Sequence, residues 1–221
     1  MALTESQDLN RPIRSVRETR LTPRFRLLGF LPLTFFLAHA WFYWRTAGIP
    51  HILWMCNIGN LVLAIGLLLN LPAVSRVAVT WLIPGLGLWF WFVVMQGGWL
   101  LTSGFAHIGG LLVGLVAMYK VRADSRTWLY ALVWYLLLQQ ISRMTTPPEL
   151  NVNVAHRIYT GWEDTFGTYW EFWLLTTIIV AAGLWVLGVI LVKLWPPYEI
   201  TSPALADASQ QRQHRTQKRA G

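Results

Sequence analysis

The chain is poor in several features that soluble enzymes and metal proteins rely on. Cys56 is the only cysteine, and ten acidic residues face eighteen basic ones in 221. One cysteine excludes an intramolecular disulfide and any Cys-rich metal site. Charged residues make up 13% of the chain, against roughly 25% in a soluble domain. Strand-period alternation is missing, which argues against a membrane β-barrel. No internal repeat relates the two halves, so the inverted-repeat design of many secondary transporters has no support. There is no phosphate-binding glycine loop, zinc-protease helix or nucleophile elbow, which excludes the soluble types of nucleotide and hydrolase chemistry. No Asp, Glu or Arg falls mid-span in the apolar runs, which argues against a charge-coupled ion pump.

What the chain has instead is hydrophobic length. Fully 55% of its residues are hydrophobic, gathered into six runs. A helix needs roughly 20 apolar residues to cross the hydrocarbon core. The runs predict spans at Leu27–Trp44, Ile52–Leu71, Val77–Met95, Leu100–Tyr119, Thr127–Ile141 and Trp170–Trp195. The fifth is short for a crossing and the sixth is long enough to tilt. The expected fold is an all-α, polytopic membrane bundle of six transmembrane helices over residues 27–195. Basic tails flank it at 1–26 and 196–221.

The net charge of +8 suggests a nucleic-acid partner until its placement is considered. Fifteen of the eighteen basic residues lie in the two tails or beside Arg76 and the Lys120–Arg126 loop; only Arg45, Arg143 and Arg157 lie at the opposite end. Basic residues stay on the cytoplasmic side. Both termini are therefore expected in the cytoplasm, the chain in the plasma (inner) membrane, and its partners to be membrane lipids rather than nucleic acid. A homo-oligomer or another membrane protein stays open as a partner. Leu21, Phe25 and Leu28 recur as one stripe of an amphipathic segment expected to turn that stripe to lipid. The tail from Thr201 has the composition of a disordered segment. Six tryptophans, Trp41, Trp44, Trp54, Trp99, Trp162 and Trp170, gather near the outer helix ends, as interfacial anchors do.

Few polar residues enter the runs, and they sort to the outer half. His39, Cys56 and His107 come from three different helices. At 1.5 Å per residue each falls roughly 7 to 10 Å below the outer helix ends. Polar groups in lipid face the bundle interior or a wet cavity, so the three are expected to converge. Asn57 and Asn60 follow Cys56, and Gln96 ends the third run. Asn60 also suits a hydrogen bond between helices. Gly110 and Gly114 form a small-residue pair on the fourth run, and Pro84, Gly85 and Gly87 suggest a kink in the third. The connection over residues 142–169 is the longest. It contains Asn151, Asn153, His156, Arg157 and Trp162, and is expected either to form a lid or to close the bundle.

A thiol beside an imidazole is a nucleophile pair: the ring takes the proton and the sulfur attacks an acyl carbonyl. Cys56 and His107 are the catalytic candidates. His39, Asn57, Asn60, Gln96 and His156 are candidates for substrate binding, with Asn57 or Gln96 suited to an oxyanion. No metal or cofactor is required. At these residues the chain resembles the YwaF-like family of small integral membrane proteins. The resemblance lies in Cys56 within IPHILWMCNIGNLVLAIGLLL, in His107 and the terminal tyrosine of SGFAHIGGLLVGLVAMYK, and in the outer segment NVNVAHRIYTGWEDTFGTYWEFWL. The family has six or more helices and a eukaryotic branch of transmembrane acyltransferases. The resemblance implies that Cys56 and His107 match that branch's cysteine and histidine. Several members carry a histidine two residues before the cysteine; this chain has Trp54 there, with His51 nearest.

Two other classes compete. His39 and His107 could ligate a b-type haem, or line a quinone site, in a membrane subunit. A non-catalytic accessory or transport role is the other alternative.

Overall fold

In the computed structural model, residues 20–97 and 100–198 are described; the side chain of Gln96, Trp99 and most of both tails lie outside the described residues. No strand occurs among the described residues. Six helices do: α1 Pro23–Thr46, α2 Met55–Leu68, α3 Pro72–Gln96, α4 Leu101–Val121, α5 Thr127–Thr145 and α6 Tyr169–Leu194. Residues 19–196 form one unit, a helical membrane bundle. Helices α1, α3, α4 and α6 are long and apolar enough to cross a membrane.

The helix boundaries follow local chemistry. Thr22 accepts the Phe25 amide and starts α1, with Pro23 in its first turn, where a missing N–H costs nothing. The bundle thus begins four residues earlier than the apolar run suggests. Helix α2 is shorter than its run. Ile49–Leu53 forms a 3₁₀ turn and Trp54 is extended, so α2 starts at Met55. Its 14 residues reach only about 21 Å at 1.5 Å each, less than the ~30 Å hydrocarbon core. Asn70 ends the segment with a φ of +57°, and the Leu71 amide returns to the Gly66 carbonyl at 2.7 Å. Pro72 at once opens α3, so Arg76 lies inside a helix rather than in a loop. Pro84 stays within that one continuous helix. Helix α6 starts with a capping box between Thr168 and Glu171, which fixes an orphan donor at each position.

Two apolar clusters hold the bundle, and α3 contributes to both. Leu63 and Leu67 of α2, Val79 and Leu82 of α3, and Ala117 and Met118 of α4 are sealed in the first. Val77 and Trp81 of α3 meet Ala131 of α5 and Leu184 of α6 in the second. The Trp81 indole also donates to the Ala131 carbonyl at 3.0 Å.

The stripe of Leu21, Phe25 and Leu28 does not face lipid. Leu21 is buried in the first cluster and the other two pack against it. Polar contacts fix this reversal. The Leu21 amide donates to Asn70 Oδ1 at 2.8 Å, and the Arg26 guanidinium binds the Leu68 carbonyl, with Nε at 2.9 Å. The stripe therefore covers the inner end of α2, whose last carbonyls need donors.

Candidate functional site

The sparsely charged end, which we call the outer end, collects most of the buried neutral polar groups. Helix α4 organises it. Thr102 and Ser103 stand in its first turn, each beside one imidazole. His39 Nδ1 lies 3.1 Å from Thr102 Oγ1. His107 Nδ1 lies 2.8 Å from the Ser103 carbonyl and 3.5 Å from its hydroxyl. A carbonyl only accepts, so His107 Nδ1 carries the proton and, in the neutral ring, Nε2 carries the lone pair. The Trp89 indole donates to Ser103 Oγ at 2.8 Å and stacks on the His107 ring at 5.1 Å. Both imidazoles are almost fully buried.

His107 stands in a widened π-helical turn, Phe105–Gly109, inside α4. Such turns interrupt α-helices mostly at functional sites. From His39 the cluster continues outward. Its ring meets Tyr43 at 4.5 Å between centroids, and Tyr43 meets His51 at 5.2 Å. His51 lies outside the helices and accepts the Trp54 indole at 3.3 Å. Partial burial holds its pKa below the ordinary imidazole value.

Cys56 is half-buried. Its thiol donates to Asn57 Oδ1 at 4.0 Å, and the Asn57 amide donates to the His51 carbonyl at 3.1 Å. Helix α3 passes the thiol at Gly85, where an added Cβ would sit 3.7 Å from Cys56 Cβ. His39 and His107 both bond to the first turn of α4, at Thr102 and Ser103, while Cys56 bonds to Asn57 on its own helix. The thiol and the His107 ring are not hydrogen-bonded to each other.

The remaining candidates divide. Asn57 belongs to the cluster. Asn60 is sealed and donates to the Cys56 and Ala106 carbonyls at 3.0 and 2.8 Å. The Gln96 side chain is outside the described residues. His156 serves the outer connection: its Nε2 lies 3.1 Å from Thr146 Oγ1 at the end of α5.

That connection is stitched onto the bundle. Asn153 donates to the Leu53 carbonyl at 2.8 Å and Ser142 Oγ at 2.9 Å, and accepts the Met55 amide at 2.9 Å. It therefore caps the helix that carries Cys56 one residue away. Gln139 reaches the Asn153 and Val154 carbonyls and accepts the Trp173 indole at 2.7 Å. Asn151, Asn153 and Val154 all have positive φ. For the β-branched Val154 this is a strained state, held by burial of Val152 and Ala155 on either side.

Sequence reasoning passed over Tyr43, Trp89 and Thr102. Tyr43 follows His39 by four positions, the spacing that makes helical neighbours. Thr102 and Ser103 sit about one turn before His107, where hydroxyls can reach it. No protein-family model, curated protein or solved structure matches the chain.

Proposed function

We propose that the outer cluster is an intramembrane acyl-transfer site acting on membrane lipids, with Cys56 as nucleophile and His107 as base. The observation that carries this reading is that the turn of α2 bearing Cys56 and the turn of α4 bearing His107 are held together through Asn60, which donates to the Cys56 and Ala106 carbonyls. The lone pair on His107 Nε2 can accept the Cys56 proton. The sequence resemblance to a family with an acyltransferase branch supports the same pair.

In the proposed step the Cys56 S–H proton passes to His107 Nε2 as sulfur bonds to the ester carbonyl carbon. The carbonyl then re-forms, the ester C–O bond breaks, and the alcohol leaves with that proton. The thioester is next attacked by water or a second hydroxyl, which gives its proton to His107, and sulfur leaves as the thiol. Asn57, whose Oδ1 accepts from the thiol, would orient it. The step requires the thiol and the His107 ring to come within hydrogen-bond reach in the complex with substrate. The charge bias of the loops supports a site in the outer leaflet of the cytoplasmic membrane.

The test is turnover of a phospholipid with a labelled acyl chain by the purified protein in vesicles. Cys56→Ser and His107→Ala are each expected to slow release or transfer of the label by roughly 100-fold or more. Undiminished turnover in both variants overturns the proposal. So does a preparation without turnover that shows a Soret band, which would reassign His39 and His107 as haem ligands.

A further inference from the structure

We infer that Asn60 is a positioning residue that locks the turn carrying Cys56 to the turn carrying His107. The inference rests on the acyl-transfer reading.

The π-helical turn around His107 creates a need that Asn60 meets. The Gly110 amide is directed to the Phe105 and His107 carbonyls, passing over Ala106. A carbonyl that loses its ladder donor inside a membrane bundle must find another. The Ala106 carbonyl accepts from Asn60 Nδ2 at 2.8 Å. The same nitrogen donates to the Cys56 carbonyl at 3.0 Å. A carboxamide nitrogen has two hydrogens, so both are used. One binds the residue before His107 and the other binds Cys56 itself.

The third atom of the group explains a glycine. Asn60 Oδ1 is sealed with no hydrogen-bond donor. It lies against Gly110, where an added Cβ would stand 2.1 Å from it. Only a residue without a side chain lets the carboxamide enter α4 at this level. Asn60 is 0% exposed, so it does not touch substrate. It acts through two backbone carbonyls, which set where the thiol and the imidazole stand relative to each other.

The experiment measures alkylation of Cys56 by N-ethylmaleimide in the full chain, held in lipid nanodiscs. Cys56 is the only cysteine, so the signal comes from one residue. Four proteins are compared: wild type, His107→Ala, Asn60→Leu and the double variant. In wild type, His107→Ala is expected to slow alkylation severalfold, because a nearby imidazole raises the thiolate fraction. In the Asn60→Leu background the same change is expected to do little, a coupling of roughly 2- to 100-fold. Loss of packing alone would lower thermal stability without producing this coupling. If Asn60→Leu does not accumulate, Gly110→Ala serves in its place, since it displaces the carboxamide while keeping Asn60. A full His107→Ala effect in both backgrounds overturns the clamp and leaves the acyl-transfer reading standing. No His107→Ala effect in wild type overturns both.

Discussion

The two ends of the bundle handle buried polarity in opposite ways. At the inner end the polar side chains close helix ends. Arg76 is 6% exposed and donates to the Arg122 and Val121 carbonyls at 2.8 and 3.1 Å. Arg26 does the same for the Leu68 carbonyl. At the outer end the fully buried groups are neutral, and several side chains bind one another: imidazole to hydroxyl, indole to hydroxyl, thiol to carboxamide. A guanidinium has only donors, so on carbonyls it is a strut. An imidazole anchored through one nitrogen keeps a second one for chemistry. The inner end should therefore govern stability, and the outer end reactivity.

The sharpest way to break that division is Arg76→Ala. It strips a charged donor from two buried carbonyls and should destabilise the protein by about 3 kcal/mol or more, seen in thermal unfolding. The alkylation rate of the folded fraction at Cys56 should not change. A large change in that rate would show the two ends to be coupled.

Asn153→Ala probes the border of the outer end. It leaves the Met55 amide and the Leu53 carbonyl without their side-chain partner, a loss of about 2 kcal/mol. Because Asn153 caps the start of α2, hydrogen exchange should rise at Met55 and Cys56 before it rises elsewhere in that helix. Uniform exchange along α2 would contradict the capping role. A smaller effect is expected for Trp173→Phe, which removes the donor to Gln139 and keeps most of the ring. The cost should be about 1 kcal/mol, with Cys56 reactivity unaltered.

The smallest effect concerns acid. Burial holds the His51 pKa below its unfolded value, so the unfolded chain binds the extra proton first. The contribution of this site is present above the unfolded pKa, near 6.5, and is lost as pH falls below it. His51→Gln should flatten the decline in melting temperature between about pH 7 and pH 5. An unchanged slope would remove His51 as a source of that sensitivity.

Much of the fold was legible because a membrane helix announces itself by apolar length. All six helices fall on predicted runs. The errors arose where length said nothing. The apolar stretch Ile52–Trp54 does not reveal that it forms part of a 3₁₀ turn and an extended residue. The Leu21, Phe25 and Leu28 stripe was visible as a stripe, yet periodicity cannot say whether lipid or α2 covers it. The apolar runs leave Arg76 between the second and third spans, although Pro72 is a good first residue of a helix.

The site was half legible. Depth along each helix follows from residue counting, and it sets His39, Cys56 and His107 at one level. Rotation about the helix axis does not follow from counting, so the partners Thr102, Ser103 and Trp89 emerged only in three dimensions. The widened turn at His107 has no sequence signature of its own. Asn153 was hidden among the similar asparagines of its loop, because its role depends on a carbonyl and an amide about a hundred residues away.

The account stands or falls on whether Cys56 accepts an acyl group. The most direct measurement is peptide mass spectrometry of the protein purified gently from its own membranes, with and without hydroxylamine. We predict a fatty-acyl adduct on the peptide containing Cys56, removed by hydroxylamine and enriched when acceptor is withheld. A Cys56 peptide that is always unmodified, in protein that still turns over labelled phospholipid, would contradict the account.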